Sequence, residues 1–247
     1  MKVPLLPRER ACSSTGQSTS LRSWGLQVRV LPGAPFPITL KTVLIATSSS
    51  GKLRDFAGAA KLHNVAVAQL PGFSSLPTVQ EDGASFAANA VKKAKFYSRY
   101  ARGEIVLADD SGLEVFALGG KPGVRSARYA ADKSHPGDES LSADEANNAR
   151  LLREMNEIPD DRRGARFVCV LAVARDGKLL DTFEGEVRGT ILRSPRGSNG
   201  LGYDPLFFVA ELAKTTAELS AEEKAAVSHR GRAFEKFLVW WKPTSKS

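Results

Sequence analysis

Arg166-Phe167-Val168-Cys169-Val170-Leu171-Ala172-Val173-Ala174-Arg175 is an apolar run closed at both ends by arginine, followed by Asp176-Gly177 and a second run over residues 179–189. The first run has the length and the β-branched content of a buried strand. Asp-Gly between two such runs is hairpin-turn chemistry, because the turn needs positive φ at both central residues. The pair is therefore antiparallel. Toward the N-terminus, residues 42–46 read as a strand, 47–52 as a polar turn and 53–62 as a helix with Leu53, Phe56, Ala57 and Ala60 on one face. Ser85 is a fitting N-cap for a helix whose buried face carries Phe86, Ala90, Ala94 and Tyr97. Residues 105–108 form a further strand, with the Ser111-Gly112 turn signal after it. Toward the C-terminus come a helix over 144–158 stopped by Pro159, a Gly-rich loop over 197–204, a strand over 206–209 and a final helix over His229–Trp241. This alternation predicts an α/β domain, and the hairpin makes its sheet mixed.

Composition bounds the function. The chain has 247 residues, 42% hydrophobic and 25% charged, as in a soluble globular protein. No apolar run approaches the roughly 18–20 residues that span a bilayer, so no membrane partner is expected. Cys12 and Cys169 make no disulfide framework, and Cys169 lies inside a strand pattern, which suits a reducing cytoplasm. Residues 1–40 hold five cationic side chains against Glu9 alone, a net of +4, which is half of the whole-chain excess of +8. A nucleic-acid-binding body is not expected on that distribution. The same 40 residues are rich in Ser, Arg, Pro and Gly and lack an apolar period. They are expected to be an irregular extension to a domain over 41–247; a targeting segment and an upstream start site stay open beside that reading.

Asp109 and Asp110 end an apolar run, Ile105-Val106-Leu107-Ala108. Acids at a strand mouth sit where α/β proteins place ligands. Adjacent strand residues face opposite ways, so each acid serves a different face. The pair suits a hard cation such as Mg2+; a solvated turn with an Asp cap is the alternative. Thr47, Ser48, Ser49, Ser50, Gly51 and Lys52 form a polar turn at a helix start, where free N–H groups and the dipole attract anions. It is not a P-loop, because Ala46 and Leu53 stand where that motif needs Gly and Ser or Thr. An ordinary strand–helix turn stays open for it. The scattered His63, His135 and His229 give no zinc spacing, and no G-x-S-x-G supports a serine triad.

In order along the chain, Ala46–Lys52, 81–90, 108–113, 119–129, 202–205 and 223–230 resemble six motifs of the inosine/xanthosine triphosphate pyrophosphatases, the Ham1-like or RdgB-like group. These are A-T-x-N-x-G-K, E-x-G-x-[TS]-F-x-x-N-A, A-D-D-S-G-L, G-G-x-P-G-x-x-S-A-R-Y, G-Y-D-P and E-K-x-x-x-S-H-R. The resemblance implies an ITPase-like fold, an elongated mixed sheet flanked by helices with a nucleotide cleft between two lobes. It implies Mg2+-dependent hydrolysis of ITP, dITP or XTP to monophosphate and pyrophosphate, in the cytoplasm, by a homodimer. In this reading Glu81 and Asp110 hold the metal and Asp110 accepts the proton. The turn Thr47–Lys52 and Ser111 cradle phosphates, and Lys224 adds positive charge at the developing oxyanion. Leu201, Gly202, Tyr203 and Asp204 with His229 and Arg230 form the base pocket. Asp109 is structural or secondary in this reading. Ser49 replaces an Asn and Leu201 a Phe, and residues 197–200 depart from a Gly-x-Gly, so weaker triphosphate contacts and looser base selection are expected. A Maf-like pyrophosphatase acting on modified nucleotides and a nucleotide-binding protein with weakened catalysis are the alternatives.

Overall fold

The computed structural model describes residues 42–241, apart from residues 133, 134 and 137. The expectation for residues 1–40 lies outside the described residues. β4 (Gly164–Arg175) and β5 (Lys178–Ile191) form the expected hairpin, and Asp176 and Gly177 take φ of 49° and 81° at its turn. β4 is buried along almost its whole length and is the spine of the sheet, while β5 buries Gly185, Val187 and Ile191.

Five further strands complete it: β1 (Thr42–Ile45), β2 (Ala66–Gln69), β3 (Val106–Val115), β6 (Phe207–Val209) and β7 (Lys214–Thr215). The order is β2-β1-β3-β4-β5-β6-β7; β1 is parallel to β2 and β3, and every other pairing is antiparallel. The expected mixed sheet is present. Helices α1 (Ser50–Lys61), α4 (Ala221–Val227) and α5 (His229–Trp241) cover one face, through Phe56, Ala225, Phe234 and Phe237 on Ile45, Leu107 and Leu171. On the other face α2 (Phe86–Tyr97) sets Ala90, Ala94 and Tyr97 against Val106, Ala108 and Val170. A separate core joins α3 (Ala143–Glu154) to the far ends of β3–β5 and to β6 through Leu151, Met155, Val187 and Phe207. Buried Arg163 ties this second lobe together by donating to the carbonyls of Met155, Ile158, Ile191 and Leu192. Among the described residues no helix is long and apolar enough to cross a membrane.

Three expectations change. The Ser111-Gly112 turn does not form: β3 runs on to Val115, paired along all 10 residues with β4. Ladder pairing with a long central partner overrides a two-residue turn signal. Asp109 and Asp110 are thus mid-strand. They still lie at a lip of the sheet, because β1 pairs with β3 only as far as Leu107. The α1 helix starts at Ser50, capped by Ser49, three residues earlier than the apolar period suggests. The 144–158 helix stops at Glu154, well before Pro159, and Arg163 collects the carbonyl of Met155 just beyond it.

The seat of α5 depends on one glycine. A Cβ at Gly185 of β5 would stand 2.2 Å from the His229 carbonyl oxygen and 2.5 Å from Ala233 N. Backbone cannot retreat as a side-chain tip can, so Gly185→Ala is expected to destabilise by about 1–3 kcal/mol. Thermal denaturation checks this, and an unchanged melting temperature would contradict the packing described.

Candidate active site

Two cavities meet at Lys52 and Glu81, which line both. The first, about 270 Å³, is walled by Phe167, Leu201, Tyr203 and His229, with Asp110 and Ser111 at its floor. The second, about 300 Å³, is lined by Thr47, Ser48 and Ser49 of the turn before α1, together with Lys93 and Asp109.

Chain alternation along β3 sends Asp109 toward α1 and α5, and Asp110 toward α2. Asp109 receives Lys52 Nζ at 2.9 Å and the Ser111 hydroxyl at 3.1 Å, and Arg230 Nε stands 3.7 Å away. Burial pushes its carboxyl up, but the charges of Lys52, Arg230 and Lys93 outweigh that and hold it far below the usual range. Arg230 also donates to Asp55 Oδ2 at 3.0 Å and to Ser111 Oγ at 2.8 Å, so its buried guanidinium keeps its charge.

Asp110 stands among different partners. Asn89 Nδ2 of α2 donates to it at 2.9 Å, and Lys93 Nζ is 3.5 Å from its other oxygen. The same ammonium donates to Glu81 Oε2 at 2.9 Å. Burial raises the Asp110 carboxyl and the Glu81 charge adds to the rise, against Lys93 and Asn89. Glu81 is also raised by burial, but Lys93 outweighs that and its carboxyl is held down. The Glu81 loop is fixed by Asn89 Oδ1, which accepts Gly83 N–H at 2.8 Å, and by Arg128, which donates to the Glu81 carbonyl at 3.3 Å.

Opposite chemistry lines the first cavity. The His229 ring stacks on Phe167 with centroids 4.9 Å apart and planes 15° from parallel. Burial and the charges of Arg230 and Lys224 hold its pKa well below the ordinary value, so it is neutral at neutral pH.

A sequence model of the Ham1 family matches residues 43–240. The chain belongs to the Ham1 family. It is 51% identical over 198 residues to a dITP/XTP pyrophosphatase of Acidobacterium capsulatum, covering 80% of this chain and 97% of that one. Among solved structures it is similar to the Ham1 protein of Staphylococcus aureus (TM-score 0.65, 38% identity, 81% of this chain and 97% of that one). A HAM1 protein from Coxiella burnetii is similar too, with TM-score 0.67 and 34% identity, over 81% and 98% of the two chains. The ITPase-like fold, with its mixed sheet, flanking helices and cleft between two lobes, is thus that of the Ham1 proteins.

Most of the residues singled out from the Ham1-like motifs line the two cavities: Thr47, Ser48, Ser49, Lys52, Glu81, Asp110, Ser111, Leu201, Gly202, Tyr203, Asp204, His229 and Arg230. Three do not. Ser50 is exposed at the start of α1, and Gly51 is buried beneath Leu201, whose Cδ2 would lie 2.7 Å from a Cβ there. Lys224 lines a third cavity of about 320 Å³, with its ammonium 2.8 Å from Asp204 Oδ2 and 3.4 Å from Asp55 Oδ1. It is 7% exposed and lies outside the two cavities that meet at Lys52 and Glu81. Asp204 spends its carboxylate on Lys224, on Leu201 N–H at 2.7 Å and on the Thr216 hydroxyl at 2.8 Å. It shapes the 200–204 loop more than it offers a contact.

Asn89, Lys93, Arg128 and Phe167 are site residues that sequence reasoning left unassigned. Asn89 and Lys93 stand four apart, beside the Phe86-Ala90-Ala94 stripe, and that spacing was the available signal. Phe167 carried none, since a core strand and a cavity wall read alike.

Proposed function

We propose that this protein hydrolyses deaminated purine nucleoside triphosphates, ITP, dITP and XTP, to the monophosphate and pyrophosphate. The observation that carries the reading is the meeting of a polar, helix-start cavity and an apolar, ring-walled cavity at Lys52 and Glu81, with Asp110 beside them. A nucleotide has the same two ends, with the scissile phosphorus between them.

The donor set fits Mg2+. Among the described residues no three His, Cys, Asp or Glu side chains gather into a cage. Two carboxylates, Glu81 and Asp110, suit an ion that keeps waters and takes phosphate oxygens as its other ligands. When bound, the ion would neutralise phosphate charge and lower the pKa of a water. The protein's own groups do the rest. Lys52 and Lys93 face the phosphates, with the N–H groups of the Thr47–Lys52 turn. Asp110 accepts the proton of the water that attacks the α-phosphorus. The bond from that phosphorus to the bridging oxygen breaks, and pyrophosphate leaves with the electron pair. Neutral His229 and charged Arg230 offer donors to a 6-oxo group. Adenine presents an amino group there and would leave a donor unpaired, at about 1–3 kcal/mol.

Leu201 cannot stack as an aromatic ring does, and its side chain packs over Gly51. Phe167 and His229 supply the aromatic surface of the cleft. The single domain over 41–247, the homodimer and the cytoplasmic setting belong to this proposal, carried by the family resemblance; light scattering of the purified protein tests the dimer.

The deciding measurement is pyrophosphate release from ITP, XTP, GTP and ATP with Mg2+ and with a chelator. Rates for ITP and XTP at least tenfold above ATP, abolished by the chelator, are expected. Equal rates on ITP, GTP and ATP would overturn the substrate assignment, and full activity in chelator would overturn the metal.

A further inference from the structure

Helix α3 presents Asp144, Asn147 and Asn148 at positions i, i+3 and i+4, which lie on one helix face. All three spend their side chains on the backbone of segments that wall the cleft. Asp144 Oδ2 accepts Gly202 N–H at 2.7 Å, and Asn148 Nδ2 donates to Gly202 O at 2.9 Å. Both polar groups of that residue are therefore held from α3. Asn147, 2% exposed, donates to Ala127 O at 3.3 Å and accepts Ala130 N–H at 2.7 Å. Gly202 and Ala127 both line the apolar cavity, and Tyr203 joins the same two segments by donating to Ser126 O at 2.9 Å.

One detail sets Asn148 apart from a routine surface amide. Its Oδ1 is buried and meets no hydrogen-bond donor among the described residues. A buried acceptor without a partner is unfavourable. The amide is nonetheless kept with its donor end on Gly202.

We propose that the polar face of α3 is the positioning element for nucleobase binding, with Asp144 and Asn148 holding the Leu201–Tyr203 wall and Asn147 holding the Ser126–Arg128 wall. This rests on the nucleotide reading above and deepens it. Neither Asp144 nor Asn148 touches the reacting phosphates; Asn148 acts through the backbone of Gly202, and Asp144 holds the same backbone while also lining the cavity itself. Substrate selection in this chain is then set from α3 as well as from the residues that face the base. The phosphate end, built on α1, β3 and α2, makes none of these contacts.

That division supplies the test. Asn148→Ala and Asp144→Ala keep a good helix former at each site. Binding of inosine monophosphate and of inorganic tripolyphosphate is measured by calorimetry on the full-length parent and each variant. The first ligand carries the base and the second only phosphates. Inosine monophosphate is expected to weaken about five- to tenfold, the size of one lost hydrogen bond, and tripolyphosphate to stay within twofold. With ITP as substrate, KM should rise while kcat holds. Equal weakening of both ligands, including through loss of folding, would overturn the proposal by making α3 a general scaffold. So would unchanged binding of both. A parent protein that binds tripolyphosphate but no purine nucleotide would overturn the nucleotide reading itself, and this proposal with it.

Discussion

Asp110→Asn is expected to lower kcat/KM for ITP by about 10²–10⁴-fold, the usual worth of a positioned general base, while the folded protein survives. The substitution preserves shape and removes the proton acceptor and half of the metal-binding pair. Stability should hold, because Lys93 keeps Glu81 as a partner at 2.9 Å and the site is open to water on its cavity side. Pyrophosphate release with the parent and variant matched for concentration gives the ratio, and a melting curve gives the control. ITP cleavage at an undiminished rate would remove Asp110 from the mechanism.

Asp109→Asn is expected to act on stability first, by about 3–5 kcal/mol, the range for stripping one partner from a buried ion pair. Asp109 is 2% exposed, Arg230 5%, and Lys52 reaches in from α1. Without the carboxylate, Arg230 keeps Asp55 and the Ser111 hydroxyl, while Lys52 loses its direct partner and keeps the charges of Glu81 and Asp110. Denaturant unfolding checks the figure. The pH dependence follows from the direction of the shift. The folded carboxyl lies below its unfolded value, so its contribution is complete above about pH 4. It is withdrawn as the pH falls further, toward the folded pKa. The variant should therefore lose less stability than the parent on acidification. An equal loss in both would show that the pairing contributes nothing.

The two aspartates thus differ in kind. Sequence reasoning could see that they face opposite ways and assign the metal to Asp110, but nothing local tells what waits on each face. The partners of Asp109 come from residues 52 and 230, and those of Asp110 from 81, 89 and 93. Elements governed by neighbours in the chain were legible. The Asp176-Gly177 hairpin, the Ser85 cap of α2 and the span of α5 from His229 to Trp241 stand as read. Elements governed by distant partners were not. The extension of β3 through Ser111-Gly112 depends on β4, and the early end of α3 is met by Arg163. Lys93 stands beside Lys92 and Lys95 on α2, yet it is 8% exposed because Glu81 and Asp110 draw it inward. Lys224, read as a charge in the cleft, is buried against Asp204 and Asp55, partners that come from distant parts of the chain.

A doubled aspartate only half guards the register of its own strand. If β3 slipped by one residue against β4, one of the two acid positions would still receive a carboxylate, so the charges register only part of the error. The rest of the correction comes from shape. A slip would carry the Leu107 side chain into the space of Ala108, at 0% exposure, under α2. It would also replace Gly112 by a residue with a Cβ, where only 2.4 Å separates such an atom from Ser126 Oγ and 2.6 Å from the Gly123 carbonyl. The fidelity of the acid pair is thus enforced by an alanine and a glycine that take no part in the chemistry.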